Sequence, residues 1–279
     1  MKSIPFAEVI GDPIAHSKSP QIHRFWLDSL GIEGDYRAMQ IKPDALSDFI
    51  RARRSPTRWR GCNVTVPHKQ SIIPLIDALT PLAEAVGAVN LVLPRNGRLV
   101  GDNSDVEGIM TALPAFPSGL KTACLIGSGG AALAALAAFK ELGVEELFVN
   151  VRNAAKGADL IERSGLSGRV GPVDDRSNLT GAQLIVNAST LGMTGKDAMP
   201  ERLLAAIGSI EDRSTVVFDM VYAPLETALL AAARARGLRI VDGMSMLIGQ
   251  AAAAFSGFFG REPPRERDAA LRQLLTSPQ

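Results

Sequence analysis

The sequence contains few of the residues that build metal sites, disulfide frameworks or membrane spans. Its two cysteines, Cys62 and Cys124, are far apart and form no C-x-x-C motif, so we expect buried free thiols in a reducing compartment. The three histidines show no metal-ligand spacing with cysteine or acidic partners, which predicts that no metal is bound. No apolar run has the length of a membrane span, and no amino-terminal run has the layout of a signal peptide. A cytoplasmic protein is the expectation.

An excess of charge of either sign is also missing. The formal net charge of +1 gives no general attraction to nucleic acid or to an anionic membrane. Arginines do cluster between residues 51 and 60, but nothing else in the chain supports a phosphate-backbone site, so we interpret them as a solvated helix end and loop. We therefore expect a small-molecule substrate, with no nucleic-acid partner and no membrane partner.

The composition and length favour a globular protein of two domains. The chain has 279 residues, of which 46% are hydrophobic and 21% charged, which is typical of soluble globular proteins. Short apolar segments alternate with helical patterns along most of the chain. This alternation predicts an α/β fold with mostly parallel sheets.

The first functional pattern follows the first predicted strand. Residues 4–10 are apolar and lead into a turn, after which Ser17 and Ser19 precede a helical pattern that ends at Gly31. Ser19 stands directly before a proline, so we expect it to be the N-cap of this helix. Two hydroxyl groups beside the free N–H groups of a helix amino terminus are good donors for a carboxylate. The spacing therefore predicts a carboxylate-binding site.

A second pattern surrounds the segment 61–69. Valines alternate with polar residues as on a short strand, Pro67 ends the ladder, and a helix is expected to begin at about Lys69. This geometry leaves Asn63, Thr65 and Lys69 at the carboxyl end of a strand, where open α/β sheets bind ligands. The competing interpretation is a capped turn with a solvated lysine.

A polar cluster at 101–105 precedes another helical pattern. Asp105 stands directly before the helix, so N-capping is one interpretation of it and a functional carboxylate is the other. Asn90 lies within a short predicted strand at 89–92 that leads to this cluster through an Asn-Gly hairpin turn.

The middle of the chain carries a dinucleotide-binding pattern. An apolar strand at 122–126 leads into Gly127-Ser128-Gly129-Gly130-Ala131-Ala132, and an alanine-rich helix follows. Gly127, Gly129 and Ala132 match G-x-G-x-x-[GA] between a strand and a helix. The first glycine would form the turn, and the second would let a pyrophosphate approach the backbone.

The next strand, 146–151, decides the expected nucleotide. NAD-binding proteins often carry an acidic residue at its end for the ribose 2′-hydroxyl, but this chain has Arg152 and Asn153 instead. Arg152 and nearby Lys156 could hold a 2′-phosphate, which favours NADP. NAD remains the alternative, because an exposed arginine at a strand end is common.

Together, these motifs resemble the shikimate dehydrogenase family, including its quinate/shikimate relatives, in family order along nearly the whole chain. The resemblance implies that Lys69 and Asp105 are catalytic. The substrate-binding positions that it implies are Ser17, Ser19, Asn63, Thr65, Asn90, Tyr222 and Gln250. The cofactor-binding positions are Gly127, Ser128, Gly129, Gly130, Ala131, Arg152, Asn153, Lys156, Ser189, Met220, Gly243 and Met246. Ser104 stands where the family commonly has threonine, and Leu91 replaces the threonine that commonly follows the substrate asparagine.

The resemblance also implies an architecture and a reaction. Residues 1–105 would form a substrate-binding domain, 106–241 a Rossmann-like nucleotide-binding domain, and 242–279 helices that return to the first domain. The active site would then lie in the cleft between the domains. The expected reaction is reversible NADP-dependent reduction of 3-dehydroshikimate to shikimate, within the biosynthesis of aromatic amino acids through chorismate. The sequence leaves open which of Lys69 and Asp105 carries the proton.

Two alternatives to this reaction remain. One is a relative that prefers quinate or NAD. The other is a catalytically silent sensor of pathway metabolites, which the retention of both Lys69 and Asp105 argues against, because a binding module does not need a proton-transfer pair. The expected assembly is a monomer or a homodimer.

Overall fold

The computed structural model describes residues 4–54 and 58–277. These residues form two compact units, each with its own sheet. The first unit contains the described residues up to Asp105 together with those from Ile248 onward, and the second contains Val106–Leu247. The second unit thus continues past residue 241, the predicted end of the nucleotide-binding domain.

The first unit is built on a six-stranded sheet, counted over the described residues, with the order β2-β1-β3-β5-β6-β4. The pairs β1–β2, β1–β3 and β4–β6 are parallel, whereas β5 is antiparallel to both β3 and β6. The elements are β1 (Phe6–Gly11), α1 (Ser19–Leu30), β2 (Asp35–Gln40), α2 (Leu46–Arg53), β3 (Trp59–Val64), α3 (His68–Ser71), β4 (Ala78–Leu79), α4 (Pro81–Val86), β5 (Leu91–Arg95) and β6 (Arg98–Asp102). The mostly parallel sheet is as expected, and the hairpin β5–β6 supplies its antiparallel part.

Local sequence explains the turns of this unit. Asn96 and Gly97 connect β5 to β6 with φ values of 51° and 75°, the left-handed conformation that a two-residue hairpin turn requires. Gly31 ends α1 in the same conformation, as the sequence predicts.

The prediction that Ser19 is the N-cap of α1 is wrong. The helix begins at Ser19 itself, and the N-cap position belongs to Lys18, whose side chain makes no capping hydrogen bond. The proline therefore lies at the second helical position rather than the first. Ser17 Oγ instead accepts a hydrogen bond from the backbone N–H of Ser19, at 3.3 Å.

The second unit contains a six-stranded sheet, over the residues described, in which every pair is parallel and the order is β12-β11-β10-β7-β8-β9. This is the strand order of a doubly wound dinucleotide-binding fold, so the predicted α/β class is confirmed. Its elements are α5 (Asp105–Ala112, the first residue of which belongs to the first unit), β7 (Thr122–Ile126), α6 (Gly130–Glu141), β8 (Glu146–Val151), α7 (Ala154–Ser164), β9 (Ser167–Pro172), β10 (Leu184–Asn187), α8 (Glu201–Gly208), β11 (Val216–Asp219), α9 (Ala228–Arg236) and β12 (Arg239–Asp242).

Two helices complete the chain. Helix α10 (Gly243–Phe259) begins in the second unit and continues into the first, and α11 (Asp268–Thr276) belongs to the first. The side chains of Ala254 and Phe258 pack in a core cluster with Tyr36 and Leu91. Leu91, which departs from the family pattern, is thus a core residue.

Two further findings concern membrane and metal. Across residues 4–54 and 58–277, no helix has the length and apolarity needed to cross a membrane. Nor do three or more His, Cys, Asp or Glu side chains gather as metal ligands anywhere in those ranges. Cys62 and Cys124 are both buried and free, as expected, and burial raises the pKa of the Cys124 thiol to about 12.

Candidate active site

The predicted pair Lys69 and Asp105 is in direct contact in the first unit. Lys69 lies in α3, just after the carboxyl end of β3, and Asp105 is the first residue of α5. Lys69 Nζ donates a hydrogen bond to Asp105 Oδ2, and the two side chains are 15% and 6% exposed. Lys69 is half-buried and Asp105 is buried, so the ammonium and the carboxylate form an ion pair that is largely removed from water.

Asp105 is fixed in orientation by its neighbours. Its second carboxylate oxygen, Oδ1, accepts a hydrogen bond from Asn90 Nδ2 at 2.8 Å. Its backbone N–H donates to Asn103 Oδ1 at 3.0 Å, so the asparagine side chain satisfies the first N–H group of α5. The Asp105 carboxylate contacts Lys69 and Asn90 instead.

Asn90, Ser104 and Gln250 form the next part of this network. The backbone N–H of Ser104 donates to Asn90 Oδ1 at 2.7 Å, and Asn90 Nδ2 donates to Ser104 Oγ at 3.1 Å. Ser104 Oγ also donates to Gln250 Oε1 at 3.4 Å. All three residues are buried, and these bonds link Gln250 on α10 to the strand ends.

Asn63 joins the network through Tyr36. The Tyr36 hydroxyl donates to Asn63 Oδ1 at 2.6 Å, and Asn63 Nδ2 donates to the Asn90 carbonyl at 3.2 Å. Burial raises the pKa of Tyr36 well above its ordinary value, so the phenol keeps its proton and remains a donor. The amide of Asn63 therefore has one orientation, with its oxygen toward Tyr36 and its nitrogen toward the Asn90 carbonyl.

The two serines lie beside this group. Ser19 is buried, and its side chain is a further hydrogen-bonding partner of Tyr36. Ser17 is half-buried and contacts Ser19 through the hydrogen bond described above. Half-buried Thr65 follows β3, and its backbone N–H donates to the Ile10 carbonyl at 2.9 Å. The substrate-binding and catalytic positions predicted in the first unit thus gather at one edge of its sheet.

Sequence reasoning left three residues of this network without a role. They are Tyr36, Asn103 and Ser104. The only available signal for Tyr36 was its residue type, because a tyrosine hydroxyl needs a hydrogen-bonding partner when it is buried. Asn103 and Ser104 lay inside the predicted polar cluster, but Asn103 Nδ2 donates to the Ala88 carbonyl and Ser104 bonds Asn90, and both partners are distant in sequence.

The second unit contains the glycine-rich turn. Gly127 follows β7 with φ of 109°, and a Cβ atom there would lie 2.9 Å from the backbone nitrogen of Ser189. Only glycine fits this position without strain. Gly129, in contrast, is exposed, and no atom lies within 4 Å of the place where its Cβ would be.

Helix α6 begins directly after this turn. Gly129 is its N-cap residue and provides no side-chain hydrogen bond. The first N–H groups of a helix have no intrahelical partner and can donate to an anion. The half-buried residues Ser128, Gly130 and Ala131 line this amino terminus.

The cationic residues follow β8, which lies beside β7 in the sheet. Arg152, Asn153 and Lys156 are exposed, and the Asn153 side chain accepts the backbone N–H of Lys156 at 3.2 Å as the N-cap of α7. Arg152 Nη1 lies 3.3 Å from Asp197 Oδ2 in an exposed ion pair. Both cations are thus exposed near the carboxyl end of β8, with Arg152 paired to Asp197.

The loops after β10 and β11 are tied together by buried polar groups. Asn187 Nδ2 donates to Asp219 Oδ1 at 2.8 Å, while Asn187 Oδ1 accepts from the Ser189 hydroxyl at 2.6 Å. Asp219 Oδ2 accepts from the Thr227 hydroxyl at 2.6 Å. Burial raises the pKa of Asp219 to about 6, against the opposing effect of these hydrogen bonds.

The remaining predicted positions lie in the loop after β11 and in the first turn of α10. The backbone N–H of Met220 donates to the Asn187 carbonyl at 3.0 Å, and a Cβ atom on Gly243 would lie 2.4 Å from the Met220 carbonyl oxygen. Met246 is buried and Tyr222 is half-buried. Tyr222 belongs to the second unit, whereas the other predicted substrate-binding residues belong to the first.

Comparisons with known proteins identify relatives of both ends of the chain and of its full length. Residues 9–92 match the family described as "Shikimate dehydrogenase substrate binding domain", and residues 243–272 match "Shikimate 5'-dehydrogenase C-terminal domain". Shikimate dehydrogenase (NADP(+)) of Sphingopyxis alaskensis is 45% identical over 274 residues, which cover 98% of this chain and 97% of that protein.

Solved structures give the same result. Shikimate 5-dehydrogenase of Thermus thermophilus, in complex with NADP(H) and shikimate, is 34% identical with a TM-score of 0.82, over 96% of this chain and 98% of that one. Shikimate 5-dehydrogenase of Listeria monocytogenes, in complex with shikimate and NAD, is 28% identical with a TM-score of 0.84, over 99% and 97%.

Proposed function

The chain belongs to the shikimate dehydrogenase family, and we propose that it catalyses the reversible, NADP-dependent reduction of 3-dehydroshikimate to shikimate. The observation that carries this proposal is the contact between half-buried Lys69 and buried Asp105, surrounded by hydrogen-bonding groups at one edge of the first sheet. An oxidoreductase needs such a proton-transfer group beside its substrate, whereas a metabolite sensor does not.

The second unit has the features that a dinucleotide requires. The open space around Gly129 and the amino terminus of α6 suit a pyrophosphate, and Arg152 and Lys156 suit a 2′-phosphate. The loops that carry Ser189 and Met220 are the proposed neighbours of the nicotinamide. When bound, NADPH supplies the hydride to the substrate carbonyl carbon.

Residues of the first unit handle the proton and hold the substrate. As the carbonyl carbon receives a hydride, its oxygen takes a proton from Lys69, and Asp105 orients the ammonium group for this transfer. Asn90 fixes Asp105 through the bond to Oδ1, so the pair keeps one geometry. In the oxidation direction the same pair receives the proton from the hydroxyl.

The other polar groups determine which molecule is bound. We assign the substrate carboxylate to the hydroxyls of Ser17 and Ser19 beside the start of α1. Asn63, Thr65, Asn90 and Gln250, together with Tyr222, would hydrogen-bond the rest of the substrate.

We also propose which part of the chain binds the substrate and which binds the nucleotide. We assign substrate binding to residues 1–105 with the helices of 242–279, and nucleotide binding to 106–241. The compact units, which divide after Asp105 and after Leu247, support this assignment. The proposed location is the cytoplasm, and the proposed assembly is a monomer or homodimer.

The reaction itself is tested by absorbance of the reduced nicotinamide. Shikimate or quinate is supplied with NADP⁺ or NAD⁺ in four separate reactions, and we expect strong reduction with shikimate and NADP⁺. Reduction mainly with quinate or NAD⁺ would instead identify a relative with another preference. A folded protein that gives no signal with any pair would favour the metabolite sensor.

The role of Lys69 predicts a specific kinetic change. Because the ammonium group acts in the transition state, Lys69→Ala should lower kcat by about 100-fold or more while KM for shikimate changes little. Steady-state rates with shikimate and NADP⁺ measure both constants. Lys42→Ala, at an exposed position of the first unit, is the control, and an unchanged kcat for Lys69→Ala would refute the assignment.

The role of Arg152 predicts a change in cofactor preference. Arg152→Gln should raise KM for NADP⁺ by about tenfold and leave KM for NAD⁺ nearly unaltered, since only the former carries a 2′-phosphate. Arg239→Gln is the matched control, because Arg239 is exposed at the amino end of β12, the opposite edge of the sheet. Equal effects on both cofactors would exclude a phosphate-specific role.

A further inference from the structure

The loop that carries the two serines is joined to the last helix of the chain. Lys18, between Ser17 and Ser19, extends its side chain to α11, where its Nζ donates to the carbonyl oxygen of Leu275 at 2.9 Å. Lys18 is half-buried and Leu275 is buried, so this contact is partly shielded from solvent.

A second contact joins the same two helices at their other ends. The guanidinium of Arg267, directly before α11, lies 4.8 Å from the centre of the Phe25 ring. Its Nη1 also donates to Ser29 Oγ at 2.6 Å. Since the start of α1 meets the end of α11 and the end of α1 meets the start of α11, the two helices run antiparallel and are fastened at both ends.

The chemistry of a helix end explains why a lysine is suited to this contact. The last four carbonyl groups of a helix lack intrahelical partners and carry a partial negative charge. An ammonium group that donates to one of them satisfies the carbonyl and is stabilised by the helix dipole. Because the Lys18 ammonium is bonded to Leu275, the backbone of Lys18, which lies between the two serines, is restrained as well.

We propose that Lys18 is a positioning residue for substrate binding, which acts by fastening the Ser17–Ser19 loop to the carboxyl end of α11. The inference rests on the proposed function, in which these serines bind the substrate carboxylate. Lys18 does not itself contact the substrate in this arrangement, and its effect passes through the backbone and through α11. The last helix is thereby part of what determines affinity for a carboxylate-bearing substrate.

The test compares Lys18→Met with Lys18→Arg in the full-length protein. Lys18→Met removes the donor while keeping most of the aliphatic stem, so KM for shikimate should rise by about three- to tenfold. The values of kcat and of KM for NADP⁺ should stay unchanged, because the proton-transfer pair and the second unit are untouched. Lys18→Arg keeps a cationic donor and should restore most of the affinity, and Lys42→Met serves as the control.

A second variant separates fastening from charge. Arg267→Met weakens the other attachment of α11 without changing the charge beside the serines, and should also raise KM for shikimate, by about twofold or more. A normal KM for Arg267→Met beside a raised KM for Lys18→Met would assign the effect to the lysine charge and overturn the fastening. Circular dichroism of each variant establishes that it is folded.

The serine variants distinguish failure of this inference from failure of the proposed function. Ser17→Ala and Ser19→Ala should both raise KM for shikimate. If they do so while Lys18→Met leaves KM unchanged, the positioning role is wrong and the carboxylate site stands. If neither serine variant alters KM, the carboxylate site itself is wrong, and the role of Lys18 is lost with it.

Discussion

His23 is a buried histidine whose two ring nitrogens have no hydrogen-bond partner among the described residues. Its ring stacks on Tyr36 with 3.9 Å between centroids and packs at an angle against Trp26. Burial lowers the pKa of His23 from 6.5 to about 3, because the apolar surroundings disfavour the imidazolium. His23 thus positions the Tyr36 ring by stacking, but its burial makes the folded state less stable in acid.

This environment predicts the sign of a pH effect on stability. Below pH 6.5 an unfolded chain binds a proton at His23 that the folded chain rejects until about pH 3, so the free energy of unfolding falls as the pH drops. Between pH 6.5 and 5 the loss is about 2 kcal/mol. Burial raises the pKa of Asp219 to about 6, which acts in the opposite direction over the same pH range, so the measured quantity is the difference between two proteins. Urea unfolding at both pH values should show that the wild type loses this much more stability than His23→Phe does.

The control for this prediction is His16→Gln, which removes an exposed histidine from the same unit. It should keep the wild-type pH dependence. An undiminished pH dependence in His23→Phe would mean that other groups cause the acid sensitivity.

The residue types and their spacing predicted most members of the polar network, but only those that lie next to the ends of predicted strands. Lys69 follows a predicted strand and Asp105 follows a predicted hairpin, so their meeting at one sheet edge is a consequence of the α/β pattern. Tyr36 could not be found in this way, because its role comes from contacts with Ser19 and Asn63, which no local pattern encodes. Buried polar contacts between distant segments are properties of the packed fold.

At the scale of elements, the turn between β7 and α6 contains two glycines, and the fold requires only one of them. Gly127 has a left-handed backbone and faces the Ser189 backbone, so its requirement comes from the fold. Gly129 has φ of −88° and open space around it, so the fold itself would accept a side chain there. Any requirement at Gly129 must come from what approaches the turn.

These two positions give a paired prediction. Gly127→Ala should lower the free energy of unfolding by about 1–3 kcal/mol, through backbone strain and the contact with Ser189. Gly129→Ala should leave the melting temperature unchanged and raise KM for NADP⁺, because the added methyl occupies the space of the pyrophosphate. Thermal unfolding and steady-state kinetics on both variants check this, and a Gly129→Ala enzyme with normal KM would remove the pyrophosphate from that turn.

Secondary structure could be predicted best where the apolar pattern is strong. The strands Thr122–Ile126 and Glu146–Val151 have the predicted bounds. Strand Ser167–Pro172 was not predicted, because its two glycines and one proline are unfavourable in strands. A Cβ atom on Gly168 would lie 1.9 Å from the Leu147 carbonyl oxygen, so pairing with β8 requires glycine at this position. The same glycine makes the strand hard to predict from the sequence.

At the scale of the whole molecule, the first unit is assembled from both ends of the chain. Phe255 of α10 lies 5.5 Å from Trp26, and Phe258 lies 6.1 Å from Tyr36, between ring centroids. The hydrophobic core cluster around Ile185 and Phe148, in contrast, contains only residues of the second unit. The second unit is therefore one continuous segment, whereas the first is complete only when residues from Ile248 onward are present.

This difference predicts the behaviour of a chain that ends at Leu247. Both tryptophans, Trp26 and Trp59, are buried in the first unit, so tryptophan fluorescence reports on that unit alone. Loss of Phe255 and Phe258 removes two aromatic side chains from its core, each worth about 3–5 kcal/mol, which approaches the whole stability of a domain. The shortened chain should show the red-shifted emission of exposed tryptophan.

The second unit should survive the same truncation, since the cluster that forms its core lies within residues 106–247. The shortened chain should therefore keep cooperative far-UV thermal unfolding and a rise in melting temperature with NADP⁺, but should not oxidise shikimate. A chain ending at Gly260 keeps α10 and should keep buried tryptophan emission. If the chain ending at Leu247 shows the emission of buried tryptophan, residues 4–105 fold without the carboxyl-terminal helices. The prediction that the first unit depends on the end of the chain would then be wrong.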